Sequence, residues 1–241
     1  MDTTRRKILA GVAASAVAGA TLLAVTGGGG PAEAAGPDPA SFAHPKANPY
    51  YPLQPGLVTR LKGTDDGEHY REVVRVTHRT KLIQGVRTTV VHDVVRRADG
   101  TLAEKTHDWY AADNHGTVWY FGEQTATYRR DGSVESREGS WQAGVDGARA
   151  GKIMPADPHP TQAYRQEFHR GDAEDQAWIV QGDATRTVPA GTYHHVVRSL
   201  EWSRLEPGVV SVKFYAPHVG IIAEHDMSGG NEIFELVSAH R

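Results

Sequence analysis

The stretch TDDGEHYREVVRVTHRTKLIQGVRTTVVHDVV, Thr64 to Val95, decides the fold. Its turn Thr64-Asp65-Asp66-Gly67 opens residues 68–83, where Tyr70, Val73, Val74, Val76 and Thr77 supply the aromatic and β-branched side chains that suit a pleated surface. Gln84-Gly85 then reverses the chain into residues 86–95, giving two strands about a two-residue turn. The same grammar continues outward. Asp99-Gly100 leads to 104–112, Asn114-His115-Gly116 to 117–121, and Asp131-Gly132 to 133–140. Further apolar, β-branched runs occupy 164–168, 175–180, 193–202, 209–215, 220–225 and 232–237. No window of a dozen residues holds a 3.6 period, and no repeat of fixed length appears, which speaks against helical bundles, solenoids and propellers.

Residues 49–241 therefore read as a single all-β domain, a curved or closed antiparallel meander of about eleven or twelve strands. It closes into a barrel, curls into a clam-like half-barrel, or stacks as a sandwich; closure and curvature hide strand edges best. Residues 139–160, with Gly144, Gly147, Gly151 and Met154-Pro155-Ala156-Asp157-Pro158, read as a long Gly/Pro-rich lid loop that breaks the ladder. Trp141 is expected to pack beneath it, because an exposed Trp beside Ile153 and Met154 would leave an apolar patch.

Ahead of this domain, Arg5-Arg6-Lys7 precede an Ala/Gly/Val-rich stretch that ends near Ala32-x-Ala34, a suitable signal-peptidase site. Residues 1–35 read as a cleavable signal peptide, with a twin arginine of the Tat type or a general secretory signal. The rival reading is a transmembrane anchor. The composition of the stretch and the Gly27–Gly30 run favour cleavage, so the protein is expected to be secreted without a stable membrane anchor. Residues 36–48, rich in Pro, read as a disordered tether.

Over the 241 residues, 26 Lys+Arg stand against 29 Asp+Glu, a formal charge of −3 that offers nucleic acid no basic footprint. Cysteine is absent, which removes disulfides, thiolate metal sites, cysteine nucleophiles and a lipidated N-terminal Cys. The 13 His fall into no H-E-x-x-H or H-x-H pattern, and no P-loop, G-x-G-x-x-G or G-x-S-x-G occurs. No metal and no cofactor is implied. Nothing in the sequence specifies an oligomeric state.

The densest chemistry lies in residues 107–123. If Asn114-His115 is a two-residue loop, Tyr110 faces Trp119 and Asp108 faces Phe121, so one face carries Asp108, Tyr110, Trp119, Phe121 and, diagonally, Glu123. Such a face suits an aromatic-lined binding concavity, and Trp141 is expected to pack over either the Tyr110/Trp119 or the Trp109/Tyr120 face of the hairpin. Alternatively Asp108 and Glu123 act as acid and base and Tyr110 orients substrate. Arg165 and Glu167 share a strand face, either inward toward these acids or as a surface charge ladder.

The run Asp108-Trp109-Tyr110-Ala111 with Val118-Trp119-Tyr120-Phe121-Gly122-Glu123, and Asn48-Pro49-Tyr50-Tyr51-Pro52 upstream, resembles a family of exported bacterial β-rich proteins, largely actinobacterial and often lipoproteins. Gly139-Ser140-Trp141, Tyr164-Arg165-Gln166-Glu167 and Tyr215-Ala216-Pro217-His218-Val219-Gly220 extend the likeness across residues 36–241. The last of these is also similar to clam-like envelope proteins that hold lipids or hydrophobic molecules. The resemblance implies an exported antiparallel β-fold and transfers no catalytic residue. The function expected is binding of an apolar or amphipathic, lipid-like small molecule; the alternative is an extracytoplasmic carboxylate-based hydrolase or lyase.

Overall fold

The computed structural model describes residues 36–241, and the signal peptide and its rival, within 1–35, lie outside the described residues. A 3-10 turn at Pro39–Phe42 precedes fifteen strands. They are β1 (Val58–Asp65), β2 (Glu68–Ile83), β3 (Val86–Arg97), β4 (Leu102–Ala112), β5 (Val118–Tyr128), β6 (Val134–Ser136), β7 (Trp141–Gln142) and β8 (Arg149–Met154). The chain continues through β9 (Ala163–Arg165), β10 (Glu167–Phe168), β11 (Asp175–Val188), β12 (Gly191–Ser203), β13 (Val210–Ala216), β14 (Gly220–Ser228) and β15 (Ile233–His240). Asp66-Gly67 and Gln84-Gly85 both take positive φ, as the two-residue turns joining β1, β2 and β3 require.

The strands form one antiparallel sheet in the order β10-β8-β5-β4-β3-β2-β1-β15-β14-β13-β12-β11-β9, with β6 and β7 also on β5. The long middle of the sheet is a meander, and β1 joins β15 from Val58↔His240 to Thr64↔Ile233. The sheet curls until its two ends meet in one stretch of chain. Residues 163–165 pair with β11, residues 167–168 pair with β8, and Gln166 crosses between them. The result is a nearly closed barrel with a single seam, which leaves little edge open.

At that seam the backbones approach very closely. A Cβ on Gly151 of β8 would lie 2.4 Å from the carbonyl of Gln166, so only glycine lets the two segments meet there. The apolar core falls into two clusters, one around Tyr120, Phe121, Trp141 and Met154, the other around Phe234, Leu236, Ile222 and Val196.

Two expectations are corrected. Residues 139–160 are not a lid loop: they supply β7 and β8, both paired to β5, with Gly144 and Gly147 taking positive φ in the connection between them. The glycines expected to break the ladder instead serve its turns and its seam. Nor are residues 36–48 a loose tether. Lys46 N–H donates to Asp113 O (2.9 Å), Asn114 N–H to Ser41 O (2.7 Å) and His44 N–H to Asn114 Oδ1 (2.7 Å). This strap runs across the β4–β5 loop and then over the barrel mouth, where His218 N–H donates to Pro49 O and Gly56 N–H to Val76 O.

Gly151→Ala should cost about 1–3 kcal/mol, the usual penalty of an overpacked site. Hydrogen exchange is expected to accelerate in 149–154 and 163–168 first. Unchanged melting and protection would show that the seam does not depend on this contact.

Candidate functional site

The β4–β5 hairpin has a longer loop than two residues. Asp113 Oδ1 accepts from the N–H groups of His115, Gly116 and Thr117, each at 2.9 Å, and Asp113 N–H donates to Thr117 O. That carboxylate-centred turn shifts the pairing to Ala112↔Val118, Ala111↔Trp119 and Tyr110↔Tyr120. Below it the register slips again, to Asp108↔Glu123, because Phe121 and Gly122 together oppose Trp109 in a bulge. Gly122 has φ +124°, and a Cβ there would strike the Trp141 carbonyl at 2.3 Å.

The expected face is therefore reassigned. Asp108 and Glu123 are directly opposed rather than diagonal, and Tyr120 joins Tyr110 beside Asp108 in place of Trp119 and Phe121. Those two aromatics lie on the other face, edge-on to Phe42 at 6.3 and 5.7 Å. Trp141 is buried and meets the Tyr120 ring edge-on at 5.3 Å, so it supports the site from beside it rather than covering it. Arg165 and Glu167 do not act as a pair. Arg165 is exposed over the Phe168 ring, while Glu167 is fully buried after the crossing at Gln166.

Inside the barrel the alternating positions are unusually polar. Tyr120 and Tyr110 hydroxyls donate to Asp108 Oδ1 at 2.8 and 3.3 Å. Across the interior, Lys213 Nζ lies 3.2 Å from Glu201 and 3.4 Å from Glu224. Glu201 also accepts from Ser199 (2.7 Å), Tyr215 (2.8 Å) and Gln166 (3.0 Å). Glu72 and Asp93 share a hydrogen bond between their carboxyl groups.

Titration follows from these surroundings. Burial pushes Asp108 up to about 7, against the lowering effect of its two tyrosine donors. Burial likewise raises Glu224 to about 8, with Lys213 pulling the other way. Asp93 is driven well up by burial and by neighbouring Glu72, and Glu72 is raised by burial. Glu201 is the exception: burial would raise it, but Lys213 and its three hydrogen-bond donors together hold it below the ordinary carboxylate range. Lys213 in turn overcomes its burial through Glu201 and Glu224 and is raised.

Glu72, Asp93, Asp108 and Glu224, but not Glu201 or Lys213, border a cavity of about 90 Å³. Its floor is acidic (Glu72, Asp93, Asp108, Glu224), its walls are apolar (Leu57, Val74, Val76, Val91, Ile221), and Tyr51 and Leu53 of the strap stand at its mouth. Asn48 holds that strap in place. It donates to Gly116 O and Pro155 O, both at 2.8 Å, and accepts from the N–H groups of Tyr50 and Tyr51. A larger cleft of about 400 Å³ lies under the strap and is bordered by Phe42, Lys46, Arg87 and His218, but by none of the interior carboxylates. The cavity is where acids and aromatics converge, and it is the better candidate site. Among the described residues no group of three or more His, Asp or Glu is arranged to hold a metal ion.

Of the residues singled out in the sequence, Asp108 and Tyr110 line the cavity, Glu123 is buried opposite Asp108, and Trp141 packs behind Tyr120. Glu72, Asp93, Glu201, Lys213, Glu224 and Tyr51 were not legible as site residues. In isolation each looks like the solvated half of an alternating strand, or, for Tyr51, part of a linker.

The raised carboxyls fix a pH dependence. Folded Asp108 and Glu224 keep protons that the unfolded chain releases above their ordinary values of 3.8 and 4.5, so stability falls as pH rises from about 4 through about 8. The melting temperature is expected to peak in mild acid and to drop between pH 5 and 8. Asp108→Asn, which imitates the protonated form, should recover on the order of 2 kcal/mol at pH 8. A flat melting profile over this range would contradict the burial of protonated acids.

No protein-family model and no curated protein matches the chain. Among solved structures it is similar to a presumed exported protein with a YmcC-like fold from Bacteroides fragilis, at 14% identity and TM-score 0.48, over 81% of this chain and 100% of that one. It is also similar to a presumed lipoprotein from Parabacteroides distasonis, at 12% identity and TM-score 0.44, again over 81% of this chain and 100% of that one.

Proposed function

We propose that this is an exported binding protein that takes a small apolar-bodied or amphipathic molecule into the barrel. The observation that carries the reading is the cavity itself, apolar along its walls, acidic at its floor, and closed over by a strap pinned through Asn48. Apolar contact along Leu57, Val74, Val76 and Val91 supplies affinity, and the floor gives orientation. Export is supported by the signal-like residues 1–35 and by the resemblance to exported β-rich proteins. Among the described residues no helix is long and apolar enough to cross a membrane.

A second reading draws on one observation: Asp108, raised to about 7 by burial, borders the cavity beside Tyr110 and opposite Glu123. That is the poise of a general acid, and it keeps a carboxylate-based hydrolase or lyase in view. The two readings part on turnover. A hydrolase or lyase converts the molecule it takes up and loses that conversion in Asp108→Asn, whereas a binding protein returns its ligand chemically unchanged.

Native mass spectrometry of the protein purified from its own host should show a reproducible small-molecule adduct. Ile221→Trp, which fills the partly exposed rim of the cavity, should abolish the adduct while the protein still melts cooperatively. An adduct that survives Ile221→Trp would place binding elsewhere, and no adduct in the native protein would remove the reading.

A further inference from the structure

We infer that the cavity selects a small organic cation, an ammonium group carried on a short apolar body, with Asp93 and Asp108 facing the charge and the Tyr51 and Tyr110 rings flanking it. This rests on the binding reading and specifies its ligand. Four carboxyl side chains border the cavity, and among the described residues that line it none is basic. Lys213 is already engaged by Glu201 and Glu224, which leaves Glu72, Asp93 and Asp108 without an ammonium within ion-pair distance.

One atom points to the ligand directly. Asp93 is 5% exposed, and its Oδ1 finds no hydrogen-bond donor among the described residues, although the carboxyl group as a whole bonds Glu72. A buried acceptor left without a donor carries its full desolvation cost. An anion would worsen that cost, and a purely apolar guest would leave it in place. A guest that brings N–H groups and positive charge removes it. Tyr51 and Tyr110 border the same cavity, edge-to-face with centroids 5.0 Å apart, and Tyr110 also stacks on Tyr120 at 4.6 Å. The apolar walls then accept a chain of a few carbons, in keeping with a volume of about 90 Å³.

Binding must be coupled to protons. The groups facing Asp93 are Glu72 from β2, Asp108 and Glu104 from β4 and Tyr51 from the strap, while Lys213 from β13 acts on Glu72 and Tyr51. Of these, Glu72 and Asp108 are raised by burial, as Asp93 itself is. An incoming ammonium keeps its own proton and stabilises the ionised carboxylates, so a carboxyl proton leaves to solvent as the cation enters.

Calorimetric titration of the full chain at pH 7 with n-butylammonium, n-butanol and butyrate tests this, in two buffers of different ionisation enthalpy. The ammonium is expected to bind about tenfold or more tighter than the alcohol, with proton release shown by the buffer dependence, and butyrate is expected not to bind. Asp93→Asn should erase the preference for ammonium while leaving weak alcohol binding; Glu72→Gln serves the same purpose if Asp93→Asn does not fold. Equal or tighter binding of the alcohol would overturn the charge selection while leaving a cavity that binds apolar molecules. Failure of all three probes, with a native adduct still present, would overturn the ammonium inference alone; failure of all three with no native adduct would overturn the binding reading as well.

Discussion

The ammonium of Lys213, buried between Glu201 and Glu224, sets the electrostatic terms for the whole interior. A charge taken out of water persists only where opposite charge and hydrogen bonds replace its hydration, and removing one partner of such a group typically costs about 3–5 kcal/mol. The three residues lie side by side on β12, β13 and β14, with Ser199↔Lys213 and Lys213↔Glu224 in register. A slip of one residue would turn Lys213 outward and strand Glu201 in the core, so the ion cluster also fixes strand alignment. Because this cation is already engaged, the acids farther along the wall must either hold protons or wait for charge from outside. Burial raises Asp93, Asp108 and Glu72, and Glu72 adds to the rise of Asp93.

The strap completes what the barrel begins. Residues 48–57 form no strand, yet one buried amide gathers them: Asn48 joins the β4–β5 loop, the segment just after β8 and the strap's own turn. Through that node Tyr51 is delivered to the mouth against Tyr110. The wall of the cavity is thus made by distant strands and its mouth by a segment that contributes no strand.

Where turn chemistry punctuates the chain, strand identity was plain in the sequence; β1, and β7 and β8 within 139–160, lacked that punctuation. Asp66-Gly67 and Gln84-Gly85 bracket β2, Glu68–Ile83, at its observed ends. Register was not, since it turned on one carboxylate and one glycine. Asp113 accepts three loop N–H groups on one oxygen and the Trp119 indole on the other, and Gly122 admits an extra residue, so the faces of Trp119, Phe121 and Tyr120 exchanged. The interior acids were hidden for a different reason. Glu72 and Asp93 occupy alternating strand positions, where a charge ordinarily marks the solvent face, and only closure of the sheet reveals that this face points inward.

The pairing of β1 with β15 has a kinetic meaning. Residues 58–65 find their second partner only in residues 233–240, 169 to 182 residues farther along, and contacts of such separation are slow to form because a long loop must close before they yield anything. Until then β1 is an open edge with unpaired amides and carbonyls, the kind of surface that recruits other chains. No N-terminal portion of the wall can finish itself during synthesis. Strand β15 joins the two halves of the sheet, and the wall becomes a shared property of segments far apart in the chain.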